Sequence, residues 1–194
     1  MLPKRKAKIK AAIVASLFFV VPLHAEALKQ ISLDYAYYSP ESLVVKKNHW
    51  LEDEFNKSHT RVKWVLSRGS NNSLEFLNSG ATDFALTSSI SAFVSRANGQ
   101  PVKAIYSYLW YVPSLILVQK NSPYKSLQEL KGKKIAVTKG TDPYFFLLRA
   151  LSSSHIDVND VNIVHLQHPE GRAALEQGRV DAWAGLDPFM AAGQ

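Results

Sequence analysis

The sequence predicts an α/β fold with two similar lobes, each built on a mostly parallel sheet. Apolar runs of strand length alternate with helical patterns in both halves of the chain. A glycine that follows a helical run ends the helix in the left-handed conformation, and an aspartate then precedes a short apolar run. This L-x-x-G-x-x-D pattern occurs twice, 98 residues apart, as Leu77, Gly80 and Asp83 and as Leu175, Gly178 and Asp181.

The first half alternates strands and helices. The run 30–36 alternates apolar and polar residues, as a half-buried strand does, and Pro40 opens a helical pattern that continues through Phe55. The other predicted elements are strands at 61–66, 83–86 and 102–108 and helices at 72–78 and 90–97. This order predicts a parallel sheet with helices on both faces.

The second half begins with a strand at 110–118 that contains Pro113 and that we interpret as the crossover between lobes. Predicted strands follow at 134–138, 161–166 and 181–186, with helices at 144–151 and 171–177. The predicted domains are therefore lobe one, 28–110, and lobe two, 111–194. Because Gln194 follows the last predicted strand by eight residues, we expect lobe two to be incomplete.

Residues 1–27 have the pattern of a cleavable secretory signal. Five Lys and Arg residues precede an apolar run at 11–21, and Ala25-Glu26-Ala27 offers small residues for cleavage. The five charges of residues 1–25 are all positive, so the formal net charge falls from +7 for the whole chain to +2 for the rest. The chain has no cysteine, which excludes the lipid-modified cysteine of a bacterial lipoprotein. We expect export to the periplasm and no nucleic-acid partner.

Polar segments follow the predicted strands, at 37–39, 69–71, 87–89, 140–142 and at Asp187. Ligands bind α/β sheets at the carboxyl ends of the strands, so these segments predict a cleft for a small polar ligand. Aromatic side chains near the strand ends either line that cleft or belong to the core. The candidate ligand-binding residues are Tyr38, Ser39, Thr87, Ser88, Ser89, Trp110, Gly140, Thr141, Tyr144, Trp183 and Asp187. Asp142 and Pro143 fit the N-cap and first position of the following helix.

We expect no catalytic, metal or cofactor site. His165 and His168 have a metal-like spacing, but side chains three apart across a strand end point to opposite faces. No serine lies in a G-x-S-x-G turn, and no carboxylate pair follows adjacent strands. The polar segments therefore indicate binding rather than catalysis.

Three runs resemble the solute-binding proteins of ABC importers for aliphatic sulfonates, taurine and nitrate. They are S-L-Q-E-L-K-G-K-K-I-A-V-T-K-G at 126–140, L-L-R-A-L at 147–151 and G-R-V-D-A-W-A-G-L-D-P at 178–188. The first half is similar more loosely, and the resemblance spans about residues 30–194. At 141–144, where sulfonate members carry Ser or Thr and often His, only Thr141 corresponds.

The resemblance implies a type II periplasmic-binding-protein fold of two Rossmann-like lobes. Such a protein is expected to be a monomer that closes on an aliphatic sulfonate or a related solute and delivers it to an inner-membrane ABC permease. Hydroxyls of Thr87, Ser88, Ser89 and Thr141 would then bind the ligand; Tyr38, Trp110 or Trp183 would wall the pocket; Asp187 would orient a polar end.

Two alternatives stay open at this point. The chain is a non-functional truncated fragment of such a protein, or it is a binding protein or enzyme of the thiamine-pyrimidine type. The second alternative would use Lys139 and His168.

Overall fold

The computed structural model describes residues 28–108 and 114–193 of the 194-residue chain. The predicted signal at 1–27 and the candidate Trp110 lie outside the described residues. The strands are β1 (Gln30–Ala36), β2 (Arg61–Ser67), β3 (Ser114–Val118), β4 (Lys134–Val137), β5 (Asn162–His165) and β6 (Ala182–Leu186). The helices are α1 (Pro40–Lys47), α2 (Trp50–Asn56), α3 (Ser70–Asn78), α4 (Ser89–Ala97), α5 (Asp142–Ser153) and α6 (His168–Glu176). Of these helices, none is long and apolar enough to cross a bilayer.

The strands form two sheets. In lobe one, β1 and β2 run parallel, with Gln30 opposite Arg61. In lobe two, the strand order is β3-β6-β4-β5; β4 is parallel to both neighbours, and β3 is antiparallel to β6. The predicted α/β class with mixed, mostly parallel sheets is confirmed.

The glycines of the repeated pattern end helices, as predicted. Gly80 follows α3 with φ +73°, and Gly178 follows α6 with φ +66°. Both values lie in the left-handed region, which glycine enters without the steric cost that a Cβ brings.

The aspartates of the repeat perform the same task in both lobes. Asp83 Oδ2 accepts a hydrogen bond from Ser32 N in β1 at 2.7 Å, and Asp181 Oδ2 accepts one from Lys134 N in β4 at 2.8 Å. Each aspartate therefore ties the segment that follows a helix to a strand of its own lobe, β1 in lobe one and β4 in lobe two. The two lobes repeat one local structure.

The core of lobe two lies on both faces of its sheet. Ile135 and Val137 pack on one face with Leu147 and Leu151 of α5. The residue between them, Ala136, points to the opposite face, because side chains alternate along a strand. That face holds a second cluster with Trp183, Met190 and side chains of α6.

The helix predicted from Pro40 through Phe55 is wrong, since the chain breaks it in two. α1 ends at Lys47, and His49 adopts φ 56°, a left-handed conformation uncommon for residues other than glycine. The N–H of Asn48 bonds to carbonyls of the last turn of α1. α2 then starts at Trp50.

Two predicted strands of lobe one are also wrong. At 83–86 the ladder consists of a single bridge between Leu33 and Phe84. The next donor of that segment, Leu86 N, bonds to the Asp34 carboxylate at 2.6 Å, which diverts the segment from β1. At 102–108 the structure has no strand: Val102 is buried, and the side chains that follow are exposed.

We predict that Asp34→Ala lowers the free energy of unfolding by about 2 kcal/mol. Asp34 is 2% exposed, and its carboxylate accepts from Ser67 Oγ at 2.5 Å and from Leu86 N. Its removal leaves two donors without this acceptor. Chemical denaturation measures the loss, and the exposed Asp53→Ala in α2 is the control. A loss no larger than that of the control would contradict the prediction.

Candidate functional site

The carboxyl ends of strands from both lobes face each other. We call this surface the inter-lobe face and define it by residues 37–39, 68–71 and 86–91 of lobe one and 138–142 and 166–170 of lobe two. Ser91 Oγ donates to Gly140 O at 2.6 Å, directly across the lobes. An ion pair between Arg68 and Glu170, at 2.7 Å, also connects them. The sheets therefore place their polar ends against one another.

Four helices begin at the inter-lobe face. Their N-cap residues are Gly69 for α3, Ser88 for α4, Thr141 for α5 and Gln167 for α6. The first N–H groups of a helix have no partner inside it, and the helix dipole is positive at that end. The starts of α3 and α4 have no acidic residue in the first turn and favour an anionic group, whereas Asp142 and Glu170 occupy the first turns of α5 and α6.

Tyr38 and Ser39 follow β1. Tyr38 Oη donates to Leu86 O at 3.0 Å, and burial raises the pKa of this phenol, so it stays a neutral donor. The Tyr38 ring lies 6.5 Å from the ring of His168, which places it between the lobes. Ser39 is 1% exposed and caps α1, and its Oγ receives a hydrogen bond from Tyr108 Oη at 3.2 Å.

The hydroxyl run at 87–89 opens α4. Thr87 Oγ1 donates to Ser70 O at 3.3 Å. Ser88 Oγ caps the helix by accepting from Ser91 N at 3.1 Å, and Ser89, the first helical residue, is exposed. The structure places all three predicted residues of this run on the inter-lobe face.

The start of α5 differs from the prediction by one residue. Gly140 turns the chain with φ +76°, so that Thr141 is the N-cap, Asp142 the first helical residue and Pro143 the second. Thr141 is 1% exposed, and its Oγ1 donates to Thr138 O at 2.7 Å. Burial raises the pKa of Asp142, and a hydrogen bond with Ser88 opposes that rise.

Three candidates lie away from the cleft surface. Tyr144 packs on the core of lobe two, with ring contacts to Phe145 at 5.4 Å and to His165 at 5.8 Å. Trp183 is 1% exposed within the second core cluster. Asp187 is exposed, and its Oδ1 accepts from Ala191 N at 3.2 Å, which stabilises the turn after β6.

His168 is a residue of this face that the predicted ligand set lacks. It is 1% exposed, stacks on Phe189 at 6.0 Å, and burial lowers its pKa to about 4. Because Thr138 Oγ1 donates to Leu166 O, it accepts from the Nδ1–H of His168 at 3.2 Å. Proline is common at the first positions of a helix, so Pro169 indicates that a helix begins near His168. His168 therefore follows the predicted strand 161–166 closely enough to be a site candidate.

Five further side chains complete the inter-lobe face, and the predicted ligand set lacks all of them. They are Arg68, Asn71, Ser91, Gln167 and Glu170. The sequence predicts a polar segment at 69–71 and does not indicate which of its side chains face a ligand. Within the described parts of the chain, no group of three His, Cys, Asp or Glu side chains is arranged to hold a metal ion. The face offers hydroxyls, amides and helix starts, which suit hydrogen bonding to a small polar molecule.

The chain is similar to known proteins over most of its length. The family model described as NMT1/THI5 like matches residues 55–191. A protein of Escherichia coli (strain K12) named for aliphatic sulfonates binding is 34% identical over 155 residues, 77% of this chain and 47% of that protein. One of the same name from Bacillus subtilis (strain 168) is 34% identical over 164 residues, 84% of this chain and 49% of that protein. The chain thus spans about half the length of the curated relatives it matches.

Solved structures show the same fold. The alkanesulfonate-binding protein SsuA from Xanthomonas axonopodis pv. citri, bound to MOPS, has a TM-score of 0.73 and 30% identity, with 87% of this chain and 58% of that chain covered. The periplasmic aliphatic sulphonate binding protein SsuA from Escherichia coli has a TM-score of 0.60 and 32% identity, with 84% and 56% covered. These relatives are binding proteins rather than enzymes. The fold is that of type II periplasmic binding proteins, and the chain belongs to the NMT1/THI5-like family, related to the SsuA aliphatic sulfonate-binding proteins.

Proposed function

We propose that the chain is the substrate-binding component of an ABC-type importer and that it binds a small sulfonate-like solute between its two lobes. The observation that carries the proposal is the inter-lobe face, where four helix starts and a set of hydroxyl groups from both lobes meet. The relatives named for sulfonate binding support the ligand class.

Binding would work by closure of the lobes. A ligand that contacts both lobes interacts with more groups in the closed state than in the open state, and this difference shifts the equilibrium towards closure. The cross-lobe bonds of Ser91 and Arg68 would then add to the closed state. The permease would recognise the closed form of the protein and receive the solute from it.

For the ligand contacts we propose the hydroxyls of Thr87, Ser88 and Ser89 and the start of α5 at Gly140 and Thr141. Tyr38 would form one wall with its ring. Trp110 and Asp187 are proposed as further contacts from the sequence resemblance. Tyr144 and Trp183 lie in the core of lobe two. We therefore propose that they stabilise the inter-lobe face by packing beneath it rather than by contacting the ligand.

The cellular setting is also a proposal. The basic and apolar pattern of residues 1–27 supports export, and the relatives are periplasmic binding proteins. We propose a periplasmic monomer with lobes at 28–110 and 111–194 and an inner-membrane ABC permease as its partner.

We predict that ethanesulfonate or taurine binds the purified chain and raises its melting temperature, as any ligand of the folded state does. Titration calorimetry measures the affinity, with ethyl methyl sulfone and ethylammonium as analogues without a sulfonate. Thr87→Val should weaken sulfonate binding about tenfold, because the Thr87 hydroxyl, which donates to Ser70 O without a ligand, would turn to donate to the charged sulfonate and this bond is lost.

The matched control is Thr60→Val, which removes another hydroxyl that donates to a backbone carbonyl, at Leu28 and far from the inter-lobe face. It should leave the affinity unchanged. If neither sulfonate binds, or if the neutral sulfone binds equally well, the proposed ligand class is wrong.

A further inference from the structure

One buried carboxyl group, that of Asp34, is bonded to the inter-lobe face from within lobe one. Asp34 lies in β1, two residues before the strand ends, and is 2% exposed. Its Oδ1 accepts a hydrogen bond from Leu86 N at 2.6 Å, and its Oδ2 lies 2.5 Å from Ser67 Oγ. A buried carboxyl group is unfavourable when it is charged, so its partners and its protonation state decide what it does.

Tyr38 closes a ring of hydrogen bonds around this carboxyl group. Its Oη donates to Leu86 O at 3.0 Å and lies 3.2 Å from Ser67 Oγ. We call this set the Asp34 ring; it runs through Asp34, Leu86, Tyr38 and Ser67 and returns to Asp34. Since Tyr38 and Leu86 belong to the inter-lobe face, the ring connects the buried carboxyl group with the candidate site.

The Asp34 ring has four contacts, and its N–H and hydroxyl groups supply three protons. The N–H of Leu86 bonds to Asp34, and the Tyr38 hydroxyl bonds to the Leu86 carbonyl, which can only accept. If Ser67 donates to an ionised Asp34, no proton remains for the contact between Ser67 and Tyr38. If Asp34 is protonated, it donates to Ser67, and Ser67 then donates to Tyr38. All four contacts contain a proton only in this second arrangement.

The surroundings of Asp34 favour the protonated form. Burial raises its pKa, and that rise is opposed by Ser67 of β2, the N–H of Leu86 and the buried hydroxyl of Ser73 in α3. Tyr38 is a neutral phenol, because burial raises its pKa too. None of these four neighbours carries a positive charge that would hold Asp34 ionised.

The cations on the elements around β1 act elsewhere. Lys46 of α1 lies over the ring of Tyr35, which points to the opposite face of β1 from the buried carboxyl group. Lys63 of β2 acts on the pKa of Asp83. Arg68, which follows β2, is 60% exposed and forms an ion pair across the lobes. These three charges therefore leave the Asp34 ring uncompensated.

We propose that Asp34 is a positioning residue of the ligand site: as a neutral carboxylic acid it completes the Asp34 ring and so fixes Tyr38 and the backbone that leads into the hydroxyl run at 87–89. The inference rests on the proposed function and adds a residue that acts through others without contacting the ligand.

The ring fixes the site because each member both donates and accepts, and such bonds strengthen one another in a buried setting. Leu86 is held by its N–H and by its carbonyl, so the backbone enters Thr87 in one orientation. Groups that are held in place before binding lose less freedom when a ligand binds. Ionisation of Asp34 removes one proton from the ring. The ring is therefore complete below the raised pKa of Asp34 and opens as the pH rises through it.

The first test needs no ligand. In the purified full chain, NMR follows the carbon-13 resonance of the Asp34 carboxyl group, assigned by its absence from Asp34→Asn, from about pH 4 to about pH 9, a range that buried carboxyl groups reach. We expect a midpoint well above the ordinary value of 3.8, and amide resonances of Thr87 and Ser88 that shift with the same midpoint. A carboxyl group already ionised at the acidic end of this range, or amide resonances that do not follow it, would overturn the proposal.

The second test measures ethanesulfonate binding by titration calorimetry below and above that midpoint. Asp34→Asn offers an amide N–H to Ser67 where the acid offers an O–H, so it should bind like the wild type at the lower pH. It should keep this affinity at the higher pH, where the wild type weakens about tenfold. Asp34→Ala should be about tenfold weaker at both pH values. An asparagine variant as weak as the alanine variant, or one with the pH dependence of the wild type, would contradict the proposal.

Ser67→Ala keeps the carboxyl group and opens the ring, and it serves as the second variant should Asp34→Ala not fold. It should weaken binding about tenfold at the lower pH, and wild-type affinity would count against the ring. The matched control is Asp83→Asn. Asp83 also bonds to β1, through Ser32 N and Ser32 Oγ, but these bonds lower its pKa. This variant should keep the affinity and pH dependence of the wild type, and loss of that dependence would overturn the assignment to Asp34.

The outcomes also separate this inference from the proposed function. If ethanesulfonate binds but Asp34→Asn leaves the pH dependence unchanged, the positioning role is rejected and the sulfonate-binding function stays in place. If the wild type binds no sulfonate, the proposed function fails, and the NMR midpoint with the coupled amide shifts still decides whether Asp34 fixes this part of the face.

Discussion

Trp183→Ala is expected to lower the free energy of unfolding by about 4 kcal/mol, the typical cost of a buried tryptophan truncation. Trp183 is 1% exposed and lies in a cluster with Leu175, Val180 and Met190. The variant leaves a cavity in the sheet face opposite α5. The indole N–H has no partner among the described residues, so its removal costs no hydrogen bond and the loss comes from packing. Urea unfolding followed by circular dichroism measures it.

Trp50→Ala is the matched control, because Trp50 is 57% exposed on α2. It should change stability by less than about 1 kcal/mol, as surface substitutions do. Similar losses in the two variants would show that Trp183 does not pack as described.

A double-mutant cycle checks the packing around the indole. A Cβ at Gly171 would lie 2.7 Å from Trp183 Nε1, and one at Gly185 would collide with the indole ring. Gly171→Ala should therefore destabilise the wild type by about 2 kcal/mol through overpacking. The same change should cost much less in Trp183→Ala, where the space is free, and additive costs would contradict this contact.

The second large effect is a loss of stability in acid that His168 causes. Burial lowers the pKa of His168 to about 4, whereas the unfolded chain titrates near the ordinary value of 6.5. The stabilisation is complete above pH 6.5 and is lost as the pH falls towards 4, because only the unfolded chain takes up the proton in that window. The loss is about 3 kcal/mol.

Unfolding in urea at several pH values between 7 and 4 measures the effect. His168→Asn cannot titrate but keeps an N–H near the position that donates to Thr138, so its stability should fall by about 3 kcal/mol less over this range. The comparison with the wild type cancels the contributions of Asp34 and Asp142, whose pKa values burial raises. Their effect has the opposite sign, because they take up protons in the folded state first.

His155→Asn is the control for this comparison. His155 is exposed and has φ 55°, a left-handed conformation that asparagine accepts. This variant should keep the pH dependence of the wild type. A difference as large as that of His168→Asn would assign the acid effect to the wrong residue.

The sequence predicted the fold where local and tertiary signals agree. The glycines at 80 and 178 adopt a left-handed backbone, and the aspartates three residues later bond within the same lobe, so one repeated pattern identifies two helix ends and the turns that follow them. One failure, the strand predicted at 83–86, occurs where a side chain competes with the backbone. Asp34 takes the N–H of Leu86 that a strand would have used, and no apolar pattern reveals that contact.

The sequence predicted which segments of the chain form the candidate site, but not which of their side chains face the cleft. The end of β1 is predictable from the sequence, and Tyr38 after it lies on the inter-lobe face. Thr87 and Ser88 lie there because they precede α4, although no strand precedes them. The direction of a side chain near a strand end is not readable, and Trp183 turns into the core because Gly171 and Gly185 leave space there. Asn71 and Gln167 are half-buried, and each lies against a glycine of the opposite lobe, a contact that only the assembled fold reveals.

The strand order of lobe two has a consequence for how the protein folds. β6 follows β3, β4 and β5 along the chain, yet it lies in the interior of the sheet, between β3 and β4. Until residues 182–186 are available, β3 has no partner in the sheet, and β4 has β5 alone. Closing these long-range pairings is slow, because the intervening chain must be ordered before its contacts form. During synthesis, lobe two is therefore expected to stay unfolded until translation has passed residue 186, whereas the strands of lobe one can already pair.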